Sequence, residues 1–312
     1  MGQKESTPFK GDIIRSLERH EGPVLHCAFS PDGKVLASCS TDKNVILWNV
    51  VTGDIMYTLK GHADDVTYCC FYENVLTTCS KDRTAVLWVY EHGRCASRLA
   101  IHSAAVNACA ISSSGQHLAT CSDDKTIRII KFLPGTGAFV DGSKITSLIG
   151  HRDAVNDVKF SPDGHYLASA SHDTTIRIWQ TETGACAMIL DDSIGAVKKL
   201  CYSPLEGHMM SISGPGNFVS VWNTTSYVVE KVLEADNGTE IQNIAITPDG
   251  MVIIGLSEDN KITLWATMTD NCVPKRRTTP HVKGVMTIAL HDDGNEWCIA
   301  TADRDGVINI WN

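Results

Sequence analysis

A histidine, a hydroxyl side chain, an aspartate and a tryptophan recur together along this chain. They stand as His20, Ser38, Asp42 and Trp48, then as His62, Thr78, Asp82 and Trp88, later as His151, Ser169, Asp173 and Trp179, and last as His281, Thr301, Asp305 and Trp311. Hydroxyl, imidazole and carboxylate are the parts of a nucleophile, its base and the group that orients the base. The same types also suit a hydrogen-bonded chain: an indole N–H only donates, a carboxylate only accepts, and hydroxyl and imidazole do both. An active site does not recur around a repeat, so the set is read as structural. No His-Glu-x-x-His, Walker loop or Gly-x-Ser-x-Gly occurs, and Gly135-Thr-Gly137 has Val140 where the third glycine of a dinucleotide loop belongs. There is no Cys-x-x-Cys pair either. The expectation is a protein without catalytic residues, metal or cofactor.

The elements that carry these residues repeat with them. One unit reads HEGPVLHCAFSPDGKVLASCSTDKNVILWNVVTGDIMYTLKG and another HRDAVNDVKFSPDGHYLASASHDTTIRIWQTETGACAMIL. Each has an alternating apolar run, a Ser-Pro-Asp-Gly turn, a second run, a Ser-x-Asp turn, a third run ending in Trp, and a Thr-Gly turn before a fourth. Four short strands joined by tight turns predict an antiparallel meander, which cannot bury both faces alone. The stretch GDIIRSLERH, residues 11 to 20, matches GDIMYTLKGH, residues 53 to 62, and is therefore the fourth strand of a unit whose first three are missing at the start.

In repeat length and in these motifs the chain resembles the WD40 family, over residues 11 to 312. The resemblance implies an all-β, seven-bladed propeller, with units opening at His20, His62, His102, His151, near Ser193, near Asn237 and at His281. The last unit lacks a fourth strand, and the opening decapeptide is expected to complete it and close the ring. It also implies that each His, hydroxyl, Asp and Trp form a buried chain of bonds. Unit three keeps His102, Thr120 and Asp124 but has Ile130 for Trp; unit five has Ser193 and Gly216 for His and Asp; unit six keeps Asp259 and Trp265 but has Asn237 and Gly255. The ring is expected to be looser from blade five to six. No Trp is followed by Asp, which removes the Trp-Asp-x-Arg signature for docking on a ligase adaptor.

By the same resemblance, partner peptides bind on the top face around the channel mouth. The residue before each turn Asp faces that mouth in the family, which gives Thr41, Lys81, Asp123, His172, Pro215, Glu258 and Arg304 here. A second ring holds Leu25, Thr67, Asn107, Asn156, Lys198, Gln242 and Met286, with no aromatic residue among them, so a methyl-lysine cage at this mouth is not expected. Residues 132 to 144 form an insertion expected as a bottom-face loop exposing Phe132, Leu133 and Phe139. Pro274 to Pro280 is a basic segment near the outer strand of blade six, in which Arg276-Arg277-Thr278-Thr279 looks like a basophilic kinase site.

A net charge of −9 with no long basic run argues against a generic nucleic-acid or anionic-membrane surface. The polar start MGQKESTPFKGD is unlike a signal peptide, no run of 18 apolar residues occurs, and most of the 12 cysteines lie in apolar runs. Reduced buried thiols and a cytoplasmic protein are expected, with nuclear or peripheral-membrane placement left open. Met1-Gly2-Gln3-Lys4-Glu5-Ser6 matches the N-myristoylation pattern, making Gly2 a lipidation candidate and the only route to a membrane. Residues 1 to 10 are read as a flexible tail and 11 to 312 as one propeller. The expected function is a non-catalytic scaffold or adaptor, a monomeric propeller within a complex whose partners are other proteins or peptides. The alternatives are a myristoylated membrane-associated adaptor and a regulatory domain of a larger multidomain protein.

Overall fold

A computed structural model describes residues 12–311, apart from 134–137, 140–144, 192, 194, 206, 215–217, 235–238, 268–274, 280 and 293–296. Among the described residues it contains seven separate antiparallel sheets, six of them meanders in chain order, one of these with an added short strand, and the seventh completed by a strand from the start of the chain. The sequence alternation accounts for the layering. Second strands such as Val35–Ser40 and Val75–Ser80 are buried at every position, being covered by a blade on each side. Outer strands such as Ile55–Lys60 and Cys186–Leu190 bury one residue each, Leu59 and Leu190. The apolar cores lie between neighbouring blades rather than within one, as where Ala300, Ile308 and Ile310 of blade seven pack with Val24, Leu36 and Trp48 of blade one.

The seventh sheet closes the ring. Its first three strands are Val285–Asp292, Trp297–Asp303 and Val307–Trp311, and its fourth is Ile13–Glu18 from the start of the chain. Leu17 lies opposite Ile308 and is 3% exposed, the position that Leu59 holds opposite Val45 in blade one. Pairing of the two ends removes an open sheet edge.

In all seven blades the first strand slips register by one residue directly after its first residue, between Val24 and His26 in blade one and between Val155 and Asp157 in blade four, for example. A bulge turns the extra side chain out of the ladder. The residues so displaced are Leu25, Thr67, Asn107, Asn156, Lys198, Gln242 and Met286, the second ring expected at the mouth.

Two expectations about insertions change. Phe132 and Leu133 continue the third strand of blade three, Thr126–Leu133, and pair with the short strand Ala138–Phe139, so part of the expected loop is ladder; the rest of it lies outside the described residues. The basic segment is not near the outer strand of blade six but supplies it, as Lys275–Thr278 paired with Lys261–Ala266. Thr278 is in that ladder with its side chain exposed, whereas Thr279 is buried with its hydroxyl donating to the Asn260 carbonyl at 2.9 Å.

Candidate functional site on the top face

The loops of the top face are pinned by the recurring polar set. In blade one the Trp48 indole N–H donates to Ser38 Oγ at 2.8 Å, Ser38 Oγ lies 2.7 Å from His20 Nε2, and His20 Nδ1 lies 2.7 Å from Asp42 Oδ2. Since a carboxylate only accepts, the His20 Nδ1–H donates to Asp42. Asp42 also accepts the backbone N–H groups of Glu21 and Asn44, tying the loop before the first strand to the turn after the second. Blades two and four repeat this through His62, Thr78, Asp82 and Trp88 and through His151, Ser169, Asp173 and Trp179. Blade three keeps His102, Thr120 and Asp124, and fills the indole site with buried Ile130.

Charge is settled by burial in these sets. Burial lowers the pKa of His62, His102 and His151 despite their aspartates, so the rings are neutral at pH 7. Burial alone would raise Asp82, but the Thr84 hydroxyl, the Ala63 amide and His62 outweigh it and hold its pKa near 2. Asp124 is held at about 2 in the same way, by Thr126, the Ser103 amide and His102.

Blade seven departs from the sequence reading. His281 Nδ1 bonds Asp303 Oδ2 at 2.7 Å, and Asp305, expected in this role, is exposed and pairs with Lys283 at 2.8 Å. Among the described residues, blade five keeps the indole bond, Trp222 to Ser211 Oγ at 2.9 Å, and the Ser193 hydroxyl is buried without a partner. Gly195 and Gly214 approach there so closely that a Cβ on Gly195 would lie 2.9 Å from the Gly214 Cα. In blade six Asp259 pairs with Lys261, and the Trp265 ring occupies the space beside Gly255. Asn237 and Gly216 lie outside the described residues.

The expected rim residues occupy equivalent places. The amides of Thr41, Lys81, Asp123, His172, Glu258 and Arg304 bond the carbonyls of Pro23, Asp65, Ala105, Ala154, Glu240 and Lys283, each one or two residues before its own blade's first strand. Thr41 is half-buried against Gly22, and the other five side chains are exposed. Each sits on its own blade, and the structure brings two together: Arg304 Nη2 lies 3.7 Å from Glu258 Oε1. Lys81 pairs with Asp65 at 2.9 Å, which raises its pKa, and Asp123 accepts from Asn107 at 2.7 Å. The bulge residues link blades: Thr67, Asn107 and Asn156 donate to the carbonyls of Val106, Val155 and Val197 in the next blade. Pro215 and Gly2 lie outside the described residues.

Sequence reasoning missed a buried charged cluster on the first strands below this rim. Lys159 Nζ donates to Asp157 Oδ1 at 2.8 Å and to the Tyr68 hydroxyl at 2.7 Å, and Tyr68 stacks on His26 with ring centroids 3.7 Å apart. Asp157 Oδ2 accepts the Leu200 N–H, joining blades four and five. Burial, then Lys199 and Lys159, push the pKa of His26 well down, while Asp157 and Tyr68 outweigh burial and raise that of Lys159. The signal was present in Asp157, Lys159 and Lys199, charged residues inside strands where blade three has alanines. With both Asp157 oxygens bonded, one within its blade and one across to the next, the cluster is read as a strut. Among the described residues no three His, Cys, Asp or Glu side chains gather as metal ligands, and no helix is long and apolar enough to cross a membrane.

The family model described as WD domain, G-beta repeat matches residues 11–49, 53–89, 93–131, 142–180 and 272–312, more than half of the chain. Blade five and the first three strands of blade six fall between the last two matches, although both blades have four antiparallel strands in chain order. Telomerase protein component 1 of Rattus norvegicus is 30% identical over 118 residues, 36% of this chain and 4% of that protein. The U5 small nuclear ribonucleoprotein 40 kDa protein of Dictyostelium discoideum is 32% identical over 120 residues, 37% of this chain and 34% of that protein. Transcription initiation factor TFIID subunit 5 of Drosophila melanogaster is 42% identical over 50 residues, 16% of this chain and 7% of that protein. The matched stretches thus span about a third or less of each relative.

Proposed function

This chain belongs to the WD-domain, G-beta repeat family, and we propose that it is a non-catalytic interaction platform that holds a partner peptide across the rim made by Thr41, Lys81, Asp123, His172, Glu258 and Arg304. The observation that carries this is the shared anchoring of the six: each amide is fixed to its own blade, and all but that of Glu258 lie beside a buried polar set that the sequence repeats. Such a scaffold presents exposed side chains of both signs from backbone that is already ordered, so binding has only side-chain freedom to lose. Mixed charge suits a peptide that itself carries both signs. A net charge of −9 supports protein partners over nucleic acid. The relatives' names, a component and a subunit among them, support a place within a larger assembly. We take residues 11 to 312 as a single propeller in the cytoplasm, while the names of two relatives, a small nuclear ribonucleoprotein and a transcription initiation factor, favour the nucleus.

The reading is tested by replacing Lys81, His172 and Arg304 together with alanine. None belongs to the core, so the melting midpoint should hold while recovery of partners by affinity capture falls. Capture of every partner at wild-type level would reject the rim.

A further inference from the structure

On the face opposite the rim, a cavity of about 380 Å³ opens between blades four and five, lined by Tyr166, Tyr202, Tyr227, Asp163 and His208 among others. Its size falls in the usual range for small ligands, about 300 to 1,000 Å³. The three tyrosines come from separate elements. Tyr202 ends the first strand of blade five, Tyr166 begins the second strand of blade four, and Tyr227 lies in the turn before the outer strand of blade five. All three are half-buried, and no two of the rings stack on each other among the described residues.

Tyr227 is held there against the preference of its backbone. Its φ is +57°, and its amide bonds the Asn223 carbonyl at 2.8 Å. The same turn in blades one and four places Gly53 and Gly184 at this position, with φ of +80° and +72° and the same bond to Asn49 and Gln180. Glycine adopts this region freely, whereas a bulky side chain there is strained, and strain of this kind collects where a side chain is needed for binding. The side chain that replaces glycine lines the same cavity as Tyr166 and Tyr202.

Asp163 supplies charge. Its Oδ1 accepts from the Ser161 hydroxyl and the His165 amide, which leaves Oδ2 without a bond among the described residues. Burial raises the Tyr202 hydroxyl, and Tyr227 and Asp163 add to the rise, as expected of groups gathered round one space. Glu230 lies close by, paired with His208 at 3.0 Å, so the surroundings repel anions.

We propose that this cavity binds a methylated ammonium cation, with the three tyrosine rings attracting the charge and the methyl groups, and Asp163 neutralising it. Aromatic walls favour a large, weakly hydrated cation over a bare ammonium, which gives up strong hydration for few hydrogen bonds here. The site is independent of the rim platform and lies on the other face. Two sources carry this chemistry, a methylated lysine side chain and a choline group.

Calorimetric titration of the intact chain with N-acetyl-trimethyllysine amide, with choline and with the neutral choline isostere 3,3-dimethylbutan-1-ol tests the proposal. Both cations should bind, the neutral isostere about tenfold more weakly or worse. Tighter binding of the lysine derivative assigns a protein ligand, and tighter binding of choline a lipid or small-molecule one. Tyr227→Gly should cost at least about tenfold in cation affinity in a chain that stays folded, since glycine adopts the positive φ of this turn freely. Asp163→Asn should weaken the cations and leave the isostere alone. Absence of cation binding at millimolar concentration, equal binding of the isostere, or wild-type affinity in Tyr227→Gly would each overturn it.

Discussion

His281 donates to Asp303, 2.7 Å away, and not to Asp305, two residues further along. In blades one to four a serine holds the place of Asp303 and its hydroxyl caps the amide of the turn aspartate, as Ser40 does for Asp42. Asp303 performs both tasks, since Oδ1 accepts the amides of Asp305 and Val307 while Oδ2 accepts from the imidazole.

Asp303→Ala should therefore strand an imidazole N–H and two amides, costing about 2 to 4 kcal/mol. Asp305→Ala removes an exposed partner of Lys283 and should change stability by about 0.5 kcal/mol or less. Denaturant unfolding of the two variants distinguishes them, and equal losses would contradict the assignment.

Acid should unfold the ring in two stages. His62, His102 and His151 have lowered pKa values, so below about pH 6.5 the unfolded chain binds protons that the folded chain refuses. Stability is full above that pH and falls as pH drops through it. Asp82 and Asp124, held near 2, act with the same sign: their contribution is present above about pH 4 and is lost towards pH 2. Melting midpoints measured from pH 8 to pH 2 should be level, then fall, then fall again. A midpoint that rises between pH 7 and pH 5 would contradict the neutral imidazoles.

The repeat, the blade count and the closure were legible because each depends on residue type at fixed spacing: Leu17 and Leu59 align by sequence and share a role. Asp303 was not, because a carboxylate two residues early reaches the same imidazole through a different backbone position, and spacing alone favours Asp305. The tyrosine cavity was illegible for another reason. Tyr166, Tyr202 and Tyr227 belong to two blades and meet only across their interface; the spacing of five residues from Trp222 puts Tyr227 where Gly53 and Gly184 stand after Trp48 and Trp179, but it does not show which rings lie nearby.

Restoring the missing hydroxyl of blade six should do harm. A Cβ on Gly255 would lie 2.4 Å from the Trp265 ring, so Gly255→Ser, though it matches Ser38 and Ser169 in the sequence pattern, should destabilise by about 1 to 3 kcal/mol. A stability gain in chemical denaturation would show that the ring has room to move.

Closure sets the stability of the whole. Leu17→Ala removes a side chain buried between blades seven and one and should cost about 2 to 5 kcal/mol. Deleting residues 11 to 19 strips the outer strand and exposes the Val307–Trp311 edge, which should lower the melting midpoint sharply or cause aggregation. An unchanged midpoint would mean that the strand is dispensable.

The most direct test of the platform is site-specific photocrosslinking with a benzophenone amino acid, placed at His172 on the rim and, as control, at Met188 on the exposed outer strand of blade four. The account predicts that a partner recovered by the unmodified chain crosslinks through position 172 and not through 188. Crosslinking through 188 with none at 172 would place binding on the propeller's flank and contradict it.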